Sequence, residues 1–358
     1  MALTAADIGP FYCPVEPAVH PDVDEAERRA LEWTGQWGFC RTARERARVA
    51  GSRSADFYAR IVPHADLEGM WITACWVYWG FAFDDARCDE GPLAADPARF
   101  AALAGTVQHA LESPGPLDCP DPYAAAVHDL GERFRAAAGP VQNRRFHHAH
   151  RAWLTGVQWQ IGNRARGRMP GLDEYLAMRL HAAGGEPTLA MIEIANGLRV
   201  PDREMDSPAV CALTQLAALI ASLDNDRHSL AKEQRRGQTD QNIVNVLIAQ
   251  DRCSPAEAVH EATALRDAMM VRFLQLRDRV TPRADASLRR YLADLGHAVR
   301  GNIEWGLRVP RYVSPDGTAA PPGTGGAGTA LAWTDRPLTG RHDPRRLPSV
   351  SWWWHDLV

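Results

Sequence analysis

The sequence predicts an all-α protein, a single helical bundle of roughly ten or more helices. Apolar residues recur at helical spacing in most segments, as they do at Leu216, Leu219, Ile220 and Leu223. No segment alternates apolar and polar residues with the period of two that a half-buried strand requires. The chain has 358 residues, of which 46 % are hydrophobic, so it can bury one large core.

Helical patterns follow one another after a proline-rich, extended stretch at residues 1–22. Loops rich in Pro and Gly separate them, and the most apolar pattern, which ends in FAFDD, should form a buried helix. Helices are expected over residues 24–49, 57–61, 67–85, 100–111, 123–137, 141–163, 172–183, 188–198, 207–233, 242–250, 255–280 and 284–305.

The character of the chain changes after residue 313, so we expect one domain over residues 1–313 and a tail over 314–358. Residues 314–348 are rich in Gly, Pro, Thr and Arg and have no apolar periodicity, which predicts a loop or a partly disordered tail. The tail contains GTGGAG at 323–328, a formal match to a dinucleotide-binding fingerprint, but no strand precedes it. It ends in Trp352, Trp353 and Trp354, which should dock on the domain because exposed tryptophans are unfavourable.

Composition excludes several classes of protein. The net charge is −4 and no basic run stands out, so nucleic acid is not an expected partner. The N-terminus has no signal-peptide pattern, and no run of 18 apolar residues predicts a membrane span. Seven scattered cysteines without a CxxC pair indicate reduced thiols. We therefore expect a cytoplasmic protein.

The helix predicted over 207–233 carries three polar residues that its apolar stripe does not explain. Asn225, Ser229 and Glu233 are four residues apart, so they share one face of the helix. Their side chains offer hard oxygen ligands, which suit Mg²⁺ better than zinc or copper. Lys232, the single lysine of the chain, lies beside them and could bind a phosphate. A solvated helix face would show the same spacing.

An acidic cluster, FDDARCDE, ends the apolar helix predicted over 67–85 and so comes first in the chain. It contains Asp84, Asp85 and Asp89. Like charges so close repel one another, and the helix dipole disfavours them at a C-terminus. A divalent cation would compensate them, although a solvated helix end is the simpler alternative.

Together the two clusters resemble the two metal-binding motifs of the class I terpene synthases. The second motif, N-D-x-x-S-x-x-K-E from Asn225 to Glu233, is complete, and the first reads DDxxxDE. Arg179 stands where this family places its diphosphate-sensing arginine. Arg311-Tyr312 resembles the C-terminal Arg-Tyr pair of the family. The likeness extends over about residues 25–313, and it leaves open whether Asp84 or Asp85 is the main ligand.

The resemblance implies a helical bundle around a central apolar cavity with three Mg²⁺ ions at its mouth. Two ions would be held by Asp84, Asp85 and Asp89, and the third by Asn225, Ser229 and Glu233. The diphosphate of a linear prenyl substrate would be bound by Arg179, Lys232, Arg311 and Tyr312. Tyr78, Phe81 and Trp305 lie near motif residues and are the candidate cavity-lining aromatics. Many members of the family are dimers, so the resemblance is also compatible with a homodimer.

A helix break at Gly184-Gly185-Glu186-Pro187 follows Arg179 closely. Glycine loosens a helix and proline removes a hydrogen bond, so a kink is expected there. In the family a similar break exposes a backbone carbonyl to the cavity and couples diphosphate capture to ionisation. The resemblance therefore implies catalytic roles for Arg179, Ala183 and Gly184.

The expected activity is that of a Mg²⁺-dependent terpene cyclase, a carbon–oxygen lyase that releases diphosphate. Farnesyl diphosphate is the first candidate substrate and geranylgeranyl diphosphate the second, with a sesquiterpene hydrocarbon or alcohol, or a diterpene, as product. A prenyl chain elongator would need a second DDxxD, which is absent. From another class of protein, a catalytically silent isoprenoid-binding bundle remains an alternative.

Overall fold

The part of the chain that the computed structural model describes contains fifteen α-helices, one π-helix, three short 3₁₀-helices and one parallel pair of two-residue strands. That part is residues 8–236, 241–314, 317–318 and 333–358, without the side chains of 231, 232 and 234–236. The fold is all-α, as the sequence predicts. The helices are α1 Val23–Gln36, α2 Ala43–Ala50, α3 Ser54–Ile61, α4 Leu67–Phe83, α5 Pro97–Glu112, α6 Pro122–Ala137, α7 Pro140–Ala165, α8 Leu172–Ala182, α9 Gly185–Ala195, α10 Asp202–Met205, α11 Pro208–Arg236, α12 Ile243–Asp251, α13 Pro255–Val280, α14 Ala286–Gly306 and α15 Pro310–Val313.

Helix α11 is central to the bundle. It packs against α8, α9, α13 and α14, and its apolar residues Leu216, Leu219, Ile220 and Leu223 are fully buried. Within the described residues, Pro208–Leu230 is the one stretch that is long and apolar enough to span a membrane. Most of this stretch is buried inside the bundle. Its length and apolar character are therefore those of a core helix.

Local signals set most helix boundaries. Helix α13 begins with a capping box in which Ser254 and Glu257 exchange hydrogen bonds, and it has the predicted bounds. The single helix expected over residues 24–49 is wrong, because two helices form there. Gly38 adopts φ +67° between them, and Thr42 caps the second helix with Glu45.

The strand pair joins the two ends of the chain. Phe11–Tyr12 pairs in parallel with Trp333–Thr334, and two-residue strands are too short to show a period of two in the sequence. Residues 333–358 pack on the bundle, and Trp353 is fully buried, with its indole N–H donating to Gln215 Oε1 (3.1 Å). The docking expected for the terminal tryptophans is therefore confirmed for Trp353. The GTGGAG segment lies outside the described residues, and the domain boundary at residue 313 stays a prediction.

Candidate active site

One deep cavity opens between helices α4, α7, α8, α9, α11 and α14, and both acidic clusters line it. The volume of this cavity is ≈ 180 Å³. Apolar and aromatic side chains form one part of its lining, and carboxylates and guanidinium groups form another, which we call the mouth of the cavity. Asp84 and Asp89 thus face the same space as Asn225, Ser229 and Glu233, although the two clusters are far apart in the chain.

The first cluster lies on a π-helix, Asp84–Asp89, that continues α4. Such wide turns occur frequently at functional sites, because they change which side chains face inward. Asp84 and Asp89 line the cavity. Asp85 instead pairs with Arg311 (2.7 and 2.9 Å) and lies 3.6 Å from an Arg48 nitrogen. The structure thereby separates two aspartates that the sequence cannot distinguish.

The second cluster lies on the cavity face of α11. Asn225, Ser229 and Glu233 all line the cavity, as their spacing predicts. Glu233 accepts a hydrogen bond from Asn242 Nδ2 (3.0 Å). Removal from water raises the pKa of the Glu233 carboxyl to about 7, with a smaller opposing effect of Ser229. A nearby cation would favour the ionised form of this carboxyl.

Arg179 is anchored on the second cluster. One of its guanidinium nitrogens lies 2.7 Å from Asp226 Oδ1 and donates to Asn225 Oδ1 (3.1 Å). Tyr175 donates its hydroxyl to the other Asp226 oxygen, and the Ile243 N–H donates to that oxygen as well (3.1 Å). Burial raises the pKa of Asp226, an effect that Arg179 and Tyr175 oppose.

Sequence reasoning missed Asp226 and Tyr175 as site residues. Asp226 stands second in the N-D-x-x-S motif, so its place in the motif was a usable signal. Tyr175 stands one turn before Arg179, and only the packing of α8 against α11 shows that it completes the anchor.

The helix break consists of one residue in the left-handed backbone conformation. Gly184 has φ +75°, and α9 begins directly after it at Gly185. Pro187 has no N–H, so it cannot donate to the carbonyl oxygen of Ala183 four residues earlier. Ala183 and Gly184 both line the cavity. The break is narrower than the four-residue interruption expected from the sequence.

Helix α15 brings the Arg-Tyr pair to the mouth of the cavity, which both residues line. The Arg311 backbone N–H donates to Gly51 O (3.1 Å), and its guanidinium carbon lies 4.6 Å from the centre of the Phe81 ring. The Tyr312 hydroxyl oxygen accepts a hydrogen bond from Asn225 Nδ2 (2.6 Å). The side chain of Lys232 lies outside the described residues.

Of the three predicted aromatic wall residues, two line the cavity. Phe81 and Trp305 stack with ring centroids 5.5 Å apart. The prediction for Tyr78 is wrong: its ring is fully buried elsewhere and its hydroxyl donates to Glu27 Oε1 on α1 (2.5 Å). Tyr78 is six residues before Asp84, about 240° round the helix, and so faces away from it.

Further wall residues come from apolar segments that carry no motif. Trp76 and Trp153 form part of the wall with centroids 5.7 Å apart. The small residues Gly80 and Ala221 also line the cavity. Trp76 and Gly80 are eight and four residues before Asp84, a helical spacing that could have identified them.

Among the described residues, no group of three or more His, Cys, Asp or Glu side chains is close enough to hold a metal ion. The mouth instead brings together two carboxylates from the π-helix, Asp84 and Asp89, and three oxygen-bearing side chains from α11. All are hard oxygen donors of the kind that Mg²⁺ prefers.

Comparison with known proteins gives consistent results. Residues 75–272 match the family model described as terpene synthase family 2, C-terminal metal binding. The chain is 50 % identical over 365 aligned residues to spiroviolene synthase of Streptomyces violens, with 100 % of this chain and 99 % of that protein covered. It is 34 % identical to phomopsene synthase of Allokutzneria albata, covering 98 % of this chain and 97 % of that one.

Solved structures agree with these matches. The crystal structure of the SVS_A2 protein, obtained by ancestral sequence reconstruction, superposes with a TM-score of 0.87 at 52 % identity, covering 97 % of this chain and 98 % of that chain. More distant relatives include an enzyme named for cyclising (2E,6E)-farnesyl diphosphate and one named a diterpene cyclase.

Proposed function

Since this chain belongs to the bacterial class I terpene synthases, we propose that it ionises a linear prenyl diphosphate at the mouth of the cavity and cyclises the resulting carbocation inside. The family makes it an enzyme, a terpene cyclase that acts on a prenyl diphosphate. The observation that carries the assignment of its residues is the convergence of the clusters at 84–89 and 225–233 on one cavity.

The family model is that of a metal-binding domain, and the residues present fit divalent metal ions. We assign Asp84 and Asp89 to two Mg²⁺ ions and Asn225, Ser229 and Glu233 to a third. The fit is electrostatic, because removal from water raises the pKa of the Glu233 carboxyl to about 7, and a divalent cation beside this carboxyl would favour its ionised form. Bound metal ions would supply Lewis-acid stabilisation of the leaving diphosphate.

The diphosphate would be bound by groups already aimed at the mouth. Asn225 Nδ2 donates to the Tyr312 oxygen, which leaves the phenolic hydrogen free to donate to a diphosphate oxygen. Arg179 and Arg311 supply fixed positive charge there, and Lys232 is assigned to the same group by its place in the motif. Cations held in place stabilise negative charge as it develops on the leaving oxygen when the allylic C–O bond breaks.

The break between α8 and α9 would direct a carbonyl dipole at the reacting carbon. Pro187 cannot donate to the Ala183 oxygen, and Ala183 and Gly184 lie at the cavity wall five residues or fewer beyond Arg179. A carbonyl oxygen placed there favours positive charge on the allylic carbon. We therefore assign Arg179, Ala183 and Gly184 to the ionisation step.

The apolar part of the cavity would protect the carbocation. Phe81, Trp305, Trp76 and Trp153 present aromatic rings, whose faces attract a cation by about 0.5–2 kcal/mol each. Because these walls exclude water, the cation can rearrange before it loses a proton or meets a water molecule.

Farnesyl diphosphate is the first substrate candidate and geranylgeranyl diphosphate the second, since relatives of this chain include enzymes of both kinds. The test is incubation of the purified protein with each diphosphate and Mg²⁺, followed by gas chromatography with mass spectrometry and an assay for released pyrophosphate. A cyclic hydrocarbon or alcohol from either substrate supports the proposal. Binding of both substrates without pyrophosphate release would identify a silent isoprenoid-binding protein and refute it.

A further inference from the structure

The ring of His228 connects the candidate diphosphate site with the N-terminal strap, which we define as residues 8–13. His228 stacks on Phe11 of the strap, with ring centroids 5.3 Å apart and an interplanar angle of 21°. It also stacks on Tyr312, at 5.9 Å and 19°. Tyr312 in turn meets Trp305 edge-on at 5.5 Å. A continuous column of rings therefore runs from the strap to the mouth of the cavity.

Close packing leaves the His228 ring little freedom. The side chain is buried, and the backbone of Gly306 passes directly beside it. A Cβ atom at position 306 would lie 2.4 Å from the His228 Cδ2 atom, so glycine is the residue that admits the ring there. A ring held in this way can transmit the position of Phe11 to Tyr312.

The strap is fixed to the same helix that carries the metal motif. Arg227 on α11 donates hydrogen bonds to the carbonyl oxygens of Ile8, Gly9 and Pro10 (2.9, 3.0 and 2.7 Å). Its guanidinium carbon lies 3.9 Å from the centre of the Phe11 ring. Because Arg227 is almost fully buried, these contacts hold the strap against α11 without competition from water.

The other end of the column is the Tyr312 hydroxyl group, which we propose contacts the diphosphate. Three contacts hold the phenol: Asn225 Nδ2 donates to its oxygen, Trp305 meets the ring edge-on, and His228 stacks on the ring face. Loss of the ring-face contact would let the phenol tilt while the hydrogen bond pulls only on its tip.

We propose that His228 is a positioning residue for Tyr312, and that the N-terminal strap acts through it on diphosphate binding. This inference rests on the proposed function, since it takes Tyr312 to contact the diphosphate. The inference gives the strap and His228 a part in substrate binding. Neither their positions outside the cavity wall nor their residue types indicate such a part.

The test compares two substitutions at one position. His228→Ala removes both stacking contacts, whereas His228→Phe keeps a flat ring. Isothermal titration calorimetry of the full-length protein with inorganic pyrophosphate in Mg²⁺ buffer measures binding without the need for turnover. Because His228→Ala loses both stacking contacts, it should weaken binding about five- to tenfold, whereas His228→Phe should weaken binding less than about twofold.

Two further variants separate positioning from a general loss of stability. Phe11→Leu, which lies in the strap, should weaken pyrophosphate binding about two- to fivefold. In a Tyr312→Phe background, which lacks the hydroxyl, His228→Ala should have almost no further effect, because the column acts through that hydroxyl.

Each outcome decides the inference. Equal binding by His228→Ala and the unchanged protein, equal losses for His228→Ala and His228→Phe, or an undiminished effect in the Tyr312→Phe background would overturn it. If His228→Ala does not fold, Phe11→Leu decides: unchanged binding overturns the inference. An unchanged protein that binds pyrophosphate but converts no prenyl diphosphate would refute the proposed function and leave this inference standing.

Discussion

Arg311 binds Asp85 through two nearly parallel hydrogen bonds of 2.7 and 2.9 Å, while its guanidinium group lies over the ring of Phe81. A two-point contact of this kind fixes both the direction and the plane of an arginine side chain. Asp85 therefore holds Arg311 at the mouth of the cavity, whereas its neighbour Asp84 faces the cavity itself. The two adjacent aspartates have different tasks.

We predict that Asp84→Asn and Asp85→Asn differ in kind. Asp84→Asn removes a proposed metal ligand and should lower kcat by about 10²–10³-fold. Asp85→Asn loosens Arg311 and should mainly raise KM, because the amide still accepts one hydrogen bond. Steady-state kinetics at saturating Mg²⁺ measure both constants. The reverse ranking would assign the ligand role to Asp85.

Gly184→Ala should lower both stability and turnover. An alanine at φ +75° is strained by about 1–2 kcal/mol, although the space beside the nearest neighbour, Trp153, is sufficient. The control is Gly162→Ala in α7, where no atom lies within 4 Å of an added Cβ, and which should raise the free energy of unfolding by about 0.5–1 kcal/mol. Urea unfolding and pyrophosphate release measure the two effects. If both variants were equally stable and active, the left-handed residue would not matter.

Trp353→Ala should destabilise the whole protein, because the ring is fully buried against the bundle. Arg272 Nε also donates to the Trp353 carbonyl oxygen (2.6 Å). We expect a loss of about 3–5 kcal/mol in the free energy of unfolding. Trp354→Ala is the matched control and should cost clearly less, since Trp354 is only partly buried. Equal losses would contradict the difference in burial between the two rings as the cause of the effect.

Asp294 should make stability fall as pH rises. Burial raises the pKa of this carboxyl to about 7 in the folded protein, an effect that Arg290 only partly opposes. Between about pH 4 and pH 7 the folded state therefore binds a proton that the unfolded state has released. The contribution of Asp294 to stability is fully present below about pH 4 and decreases up to about pH 7, by at most about 1.4 kcal/mol per pH unit.

The matched variant is Asp294→Asn, which resembles the protonated acid and can still accept from Asn196 Nδ2 (2.9 Å). Its free energy of unfolding should change less between pH 5 and 7. Urea unfolding at both pH values compares the two proteins, and parallel changes would assign the pH dependence to other groups.

Patterns within one helix were readable from the sequence. Asn225, Ser229 and Glu233 share a face because residues four apart lie on the same side of a helix. The capped helix α13 has its predicted bounds. The convergence of two clusters far apart in the chain was available only from resemblance to a family, since spacing within a helix does not determine its neighbours.

Features set by tertiary packing were not readable. Tyr78 was assigned to the cavity by its distance along α4, but orientation around the helix places it on Glu27. Asp84 and Asp85 are equivalent in the sequence, and the π-helix together with Arg311 separates them. The burial of Trp353 depends on a surface of α13 and α11 that no local pattern in the tail reveals.

The most direct test of the convergence of Asp84 and Glu233 on one metal-bound diphosphate is a thermal unfolding scan with Mg²⁺ and inorganic pyrophosphate. Ligand at about 100 times its Kd adds about 2.7 kcal/mol to stability, so Tm should rise by about 3 °C or more when both are present. Either ligand alone should give a much smaller rise. Asp84→Asn and Glu233→Gln, from opposite sides of the cavity, should each abolish the joint effect while keeping the ligand-free Tm near that of the unchanged protein. A full rise with pyrophosphate alone, or an undiminished joint rise in either variant, would contradict a shared metal-bound site.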